Sequence, residues 1–154
     1  MVVQEGTAAP EFELTSHEGK TVKLSDFRGQ AVVLYFYPKD DTPGCTTQAC
    51  GFRDAYGAYE ERGVAILGVS ADGEPAHVRF REKYGLPFTL LSDPDRTTAK
   101  AYDVWRETTM HGEKSMGILR STFVIDAEGT VVRAMYGVKP EGHADNVLAG
   151  LEDH

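Results

Sequence analysis

Two cysteines, Cys45 and Cys50, are the only thiols in this chain, and they lie five residues apart. They end the run Tyr-Phe-Tyr-Pro-Lys-Asp-Asp-Thr-Pro-Gly-Cys-Thr-Thr-Gln-Ala-Cys that starts at Tyr35. The thiolate, not the thiol, is the nucleophile, and the start of a helix favours it through free N–H groups and the positive end of the dipole. Thr42 suits the N-cap and Pro43 the first helical position, so Cys45 is expected as the third residue of a helix. At about 100° per residue, Cys45 falls roughly 20° from Phe52, on the stripe that should face the sheet. A thiolate on the floor of a pocket suits a small substrate. A buried structural cysteine is the plainer alternative.

Spacing constrains the pair further. Five residues of ideal helix rise about 7.5 Å and turn about 140°, which sets the two Cα atoms roughly 8.6 Å apart. A disulfide needs about 4.4–6.8 Å. Either the two sulfurs never bond, or the helix unwinds when they do. Gly51 and Gly57 each cost a helix interior about 1 kcal/mol relative to Ala, which would ease unwinding. Close packing is the other use for them. The C-x-x-C spacing of thioredoxin-type dithiol exchange is absent.

The elements that must hold this segment are legible from periodicity. Residues 31–37, AVVLYFY, and 64–69, VAILGV, are short apolar runs that predict strands buried on both faces. Between them, Ala49, Phe52, Tyr56 and Tyr59 recur at helical period, predicting a helix over 43–62 that stops at Gly63. Two such strands with a helix between them predict a parallel pair with a crossover. The reactive segment then falls just past the carboxyl end of a strand, where α/β sheets bind ligands. Short β-prone runs at 12–14 and 20–24 flank a turn at 16–19 and predict an N-terminal hairpin. A second helix is expected over 74–84, a strand at 88–91, a helical turn near 95–102, strands at 121–126 and 130–136, and a last helix over 143–151. Residues 106–119 show no clear period and read as a functional or mobile loop. The whole is α/β, a central mixed sheet with helices on both faces.

Composition bounds the function. The 154 residues are expected to form one domain spanning 1–154. Sixteen basic residues against 24 acidic ones leave a net charge of −8, which opposes binding to nucleic-acid backbones. No apolar run reaches membrane-spanning length. The opening MVVQEGTAAPEFEL has neither a basic start nor an apolar core, so a secretory signal is not expected and a cytoplasmic location is. Two cysteines are too few for a Cys₄ zinc site or a disulfide-rich scaffold. The histidines, at 17, 77, 111, 143 and 154, include no pair three or four apart. No dinucleotide, P-loop or haem-attachment motif is present, so no metal, haem, flavin or nicotinamide cofactor is expected.

Phe36-Tyr37-Pro38 followed by Thr42-Pro43-Gly44-Cys45-Thr46-Thr47-Gln48-Ala49-Cys50 resembles the active-site signature of the peroxiredoxins, and within them the bacterioferritin-comigratory-protein, or Q-type, subfamily. Further matches run along the chain: Ala9-Pro10-Glu11-Phe12, Leu24 to Gly29, Leu67 to Ser70, Phe88 to Asp93, and Arg120 to Asp126. The resemblance implies a thioredoxin-like fold and a thiol peroxidase acting on hydrogen peroxide and organic hydroperoxides. By position it implies Cys45 as the peroxidatic cysteine and Cys50 as the resolving one. Pro38, Thr42 and Arg120 match the remaining active-site positions. An intramolecular Cys45–Cys50 disulfide is the implied product, with thioredoxin as the implied reductant and a monomer as the default state.

Those roles make physical sense. Arg120 would set a fixed positive charge beside Cys45 and hold peroxide oxygens. The Thr42 hydroxyl can donate and accept, so it can orient one of those oxygens. Pro38 offers a rigid ring without an N–H that would shield the sulfur. Two rival readings use the same cysteines: an oxidoreductase of protein disulfides, which the missing C-x-x-C disfavours, and a non-catalytic redox switch.

Overall fold

A computed structural model describes residues 2–110 and 112–151. His111 and His154 lie outside these described residues. In chain order the elements are β1 (Glu13–Ser16), β2 (Thr21–Lys23), β3 (Ala31–Phe36), α1 (Pro43–Glu61), β4 (Val64–Ser70), α2 (Glu74–Tyr84), β5 (Thr89–Ser92), α3 (Thr97–Ala101), β6 (Trp105–Met110), β7 (Glu113–Ile118), β8 (Ser121–Ile125), β9 (Val131–Tyr136) and α4 (His143–Leu151).

Seven strands form one sheet in the order β2-β1-β5-β4-β3-β8-β9. The centre, β5-β4-β3, is parallel, and β8 joins β3 antiparallel, with Phe36 opposite Ser121. The C-terminal end of β3 therefore lies beside the N-terminal start of β8. That juxtaposition brings residues far apart in sequence to one edge of the fold.

The pleat splits the core into two layers. Val33, Tyr35 and Tyr37 point one way, against Phe52 and Tyr59 of α1, Phe80 of α2 and Val147 of α4. Val32, Leu34 and Phe36 point the other way, against Phe12, Leu24, Ala99, Tyr102 and Phe123. Fully apolar β3 is thus covered on both faces, as its continuous run requires. Helices do lie on both faces, but unequally. One face carries α1, α2 and α4, while the other has the short α3 and irregular chain.

Gly63 ends α1 with φ of +67°, which is the left-handed conformation its position after the helix calls for. The expectation of a loop over 106–119 is overturned. Residues 105–110 and 113–118 pair antiparallel as a separate two-stranded ribbon, from Trp105 opposite Ile118 to Met110 opposite Glu113. Most of β7 is exposed, so no burial alternation marks it in the sequence. No helix among the described residues is long and apolar enough to cross a membrane.

Candidate active site

Cys45 stands in the first turn of α1, buried at 1% exposure against Tyr35, Ala49 and Phe52 of the core. Pro43 has no N–H, and the first backbone bond closing the helix runs from the Thr46 amide to the Thr42 carbonyl at 2.8 Å. The amides of Gly44 and Cys45 lie ahead of that bond, in the set that a helix leaves for external acceptors. The sulfur therefore sits at the positive end of a 19-residue helix.

Arg120 immediately precedes β8, and the β3–β8 pairing carries it to the mouth of α1. Its Nη2 donates to Cys45 Sγ at 3.4 Å, and its Nη1 donates to Gln48 Oε1 at 2.7 Å. Gln48, three residues after Cys45, shares its helix face and is buried. The guanidinium is thus held in a two-point grip rather than left as a surface charge. Gly44 makes the approach possible, since a Cβ there would lie 3.0 Å from Arg120 Nη2 and 3.6 Å from Pro140. Gln48 was not singled out by the sequence; its spacing from Cys45 is the signal that could have found it.

Thr42 occupies the N-cap as expected, but its side chain makes no capping bond. The hydroxyl donates instead to the Lys39 carbonyl at 2.9 Å, across the loop that enters the helix. With its proton committed there, the oxygen has only lone pairs to offer a ligand. Pro38 sits just past the end of β3 and is exposed. Cys50 shares α1 but not this site. It is half-buried, and it lines a groove between α1 and the start of α4 with Gly51, Asp54, Glu141 and Ala144. Both sulfurs are free thiols and α1 is unbroken between them, as the helical spacing requires.

Two neutral groups lie beneath the site. The Tyr35 phenol is fully buried, and burial pushes its pKa well above the ordinary value, with the neighbouring Cys45 adding to the rise. Its hydroxyl finds no hydrogen-bond partner and rests against Gly68. His143, the first residue of α4, lies 2.7 Å through Nε2 from the Thr122 hydroxyl and packs edge-on to Phe52. Burial, then the positive charges of Arg133 and Arg120, hold its pKa down to about 4. No group of three or more metal-ligating side chains occurs among the described residues.

The AhpC/TSA family matches residues 6–134. The chain belongs to this family. Among AhpC/TSA relatives, the peroxiredoxin Bcp of Bacillus subtilis is 47% identical over 153 residues, covering 99% of this chain and 98% of the relative. The Escherichia coli peroxiredoxin Bcp is 44% identical, with 97% and 96% covered. A structure of the Xanthomonas campestris bacterioferritin comigratory protein superposes with a TM-score of 0.88 at 43% identity, covering 93% and 91% of the two chains. That protein is described by its alkyl peroxide reduction activity. Xylella fastidiosa PrxQ gives 0.90 at 36% identity, with 99% of each chain covered. The fold is accordingly thioredoxin-like, a central mixed sheet flanked by helices.

Proposed function

We propose that this chain is a thiol peroxidase in which Cys45 attacks hydrogen peroxide and organic hydroperoxides. The observation that carries the reading is the Arg120 guanidinium 3.4 Å from a buried sulfur at a helix start. The Cys45 thiolate attacks the nearer peroxide oxygen, the O–O bond breaks, and the departing oxygen leaves as water or an alcohol after taking a proton. Cys45 becomes a sulfenic acid. Arg120 and the first-turn amides are the donors for the charge that develops on the leaving oxygen, and donors fixed in advance are worth most there. The Thr42 oxygen, its own proton given to the Lys39 carbonyl, offers a lone pair to the peroxide O–H. Pro38 belongs to the loop that enters this turn and forms part of its rim.

The first turns of α1 then open. Cys50 attacks the sulfenic sulfur and expels water, giving the Cys45–Cys50 disulfide. An external dithiol, read as thioredoxin, reduces that bond by exchange. An internal disulfide needs no second copy, so the working unit is read as a monomer. A transient catalytic disulfide is compatible with the reducing cytoplasm, which is the location we assign.

Intact mass after one equivalent of peroxide tests the route. The wild-type protein should lose two mass units. Cys50→Ser should instead gain one oxygen and stall with thioredoxin as sole donor, and Cys45→Ser should consume no peroxide. Full turnover by Cys45→Ser would remove the central assignment. Unchanged thioredoxin-driven turnover by Cys50→Ser would remove the resolving role.

A further inference from the structure

The loop between β3 and α1 is tied down by a buried network that the peroxide chemistry above does not use. His77 of α2 is wholly buried, with Nδ1 2.6 Å from Asp40 Oδ2 and Nε2 3.0 Å from the Leu91 carbonyl of β5. A carbonyl can only accept, so Nε2 carries a hydrogen. The contact with Asp40 then holds one more proton, between Nδ1 and Oδ2, since two facing lone pairs would repel at that distance. Tyr37 donates its hydroxyl to the other Asp40 oxygen at 2.5 Å. The Asp40 amide donates to Asp72 Oδ2 at 2.8 Å, and Ser70 donates to that same oxygen at 2.7 Å. Next along, Asp41 has a φ of +58° and accepts from Lys83 Nζ and Tyr84 Oη of α2 at 2.8 and 2.7 Å.

Lys39 precedes these two anchored residues and Thr42 follows them. The Lys39 carbonyl is the group that takes the Thr42 proton. We infer that Asp40 and His77 are positioning residues: by fixing the loop they hold that carbonyl in place and keep the Thr42 oxygen turned as an acceptor for the O–H of a hydroperoxide. The inference rests on the peroxidase reading. Arg120 reaches Cys45 from the opposite flank, through β8 and Gln48, so loosening the loop leaves the sulfur's cationic partner where it is.

The test compares two reactions of Cys45 in reduced protein carrying Cys50→Ser: oxidation by hydrogen peroxide and alkylation by iodoacetamide, which needs no acceptor at Thr42. Asp40→Ala should slow peroxide about 30-fold, inside the hundredfold that a misplacement of about 1 Å can cost, and alkylation less than about threefold. Asp40→Asn should recover about tenfold of that loss, because its amide can face His77 through nitrogen and Tyr37 through oxygen. In a Thr42→Val background, Asp40→Ala should slow peroxide by less than about threefold more, since residues acting through one contact are not additive. If Asp40→Ala does not fold, Tyr37→Phe removes a single bond to Asp40 and should show the same selectivity at about threefold.

Equal slowing of both reactions, no slowing of either, or multiplying effects of the Asp40 and Thr42 changes would overturn the inference. Failure of the parent protein to react with peroxide at all would instead overturn the peroxidase reading.

Discussion

Cys45 and Cys50 occupy the same helix, yet they differ in burial and in what lies against the sulfur. Cys45 is sealed in the core with a guanidinium against its sulfur, while Cys50 borders an open groove beside α4. Both lie in the first half of α1, and in the proposed cycle the first position suits attack on a small molecule and the second suits access. The proposed cycle needs both states in turn: an intact helix to activate Cys45 and an opened one to join it to Cys50. The second step of that cycle must therefore overcome whatever holds the first turns of α1 in place, besides the sulfur chemistry itself.

The largest effect should come from erasing the electrostatic side of this contrast. Arg120→Met keeps much of the side-chain volume but removes both donors, and a lost charge-stabilising donor costs about 100-fold or more in the attack step. Stopped-flow oxidation by hydrogen peroxide measures it; a change below about twofold would deny the guanidinium its role.

A second experiment asks what fastens the helix beneath Cys50. His143 is held neutral under Phe52, with a pKa of about 4 against an ordinary 6.5. Its folded-state pKa is depressed, so the unfolded chain binds the proton more readily. The stability it contributes is present above pH 6.5 and drains away as the pH falls toward 4. Allowing for screening, the loss is on the order of 2 kcal/mol. Urea unfolding at pH 7 and pH 4.5 should show a smaller drop for His143→Gln than for the wild-type protein. Subtracting the two removes the parallel contribution of His17, whose pKa burial also lowers.

The smallest effect sharpens the contrast by stiffening the helix. A Cβ at Gly51 would lie 3.6 Å from the Ala144 methyl, an ordinary contact. Gly51→Ala should therefore stabilise α1 by about 1 kcal/mol and slow closure of the Cys45–Cys50 bond roughly fivefold, with the initial oxidation unchanged. Rapid-quench mass spectrometry separates those two steps. At Gly57 nothing lies within 4 Å of a built Cβ, so close packing does not explain that glycine.

Much of the scaffold was legible because burial wrote its period into the chain. β3 and β4 appear as unbroken apolar runs and α1 as an apolar stripe, and for these, with α2 and α4, the expected bounds fall within a residue or two of those observed. The β6–β7 ribbon left no such trace, because most of β7 lies in solvent and nothing forces its residues to alternate. The site divides the same way. Cys45 and Arg120 could be named from motif resemblance, and pairing of β3 with β8 explains why residues 75 apart meet. The Thr42 hydroxyl direction could not be read, since a cap and a loop contact use the same residue type. The Asp40–His77 pair escaped a search for neighbouring histidines because its members are 37 positions apart. Pro38 comes from the same motif resemblance and stands exposed just past the end of β3.

Position 44 shows how finely the site is gauged. A single methyl group there would lie 3.0 Å from Arg120 Nη2, the same nitrogen that donates to Cys45, so the guanidinium would have to give by a few tenths of an ångström. The clearance beside the guanidinium is thus set by a hydrogen atom where every other amino acid carries carbon.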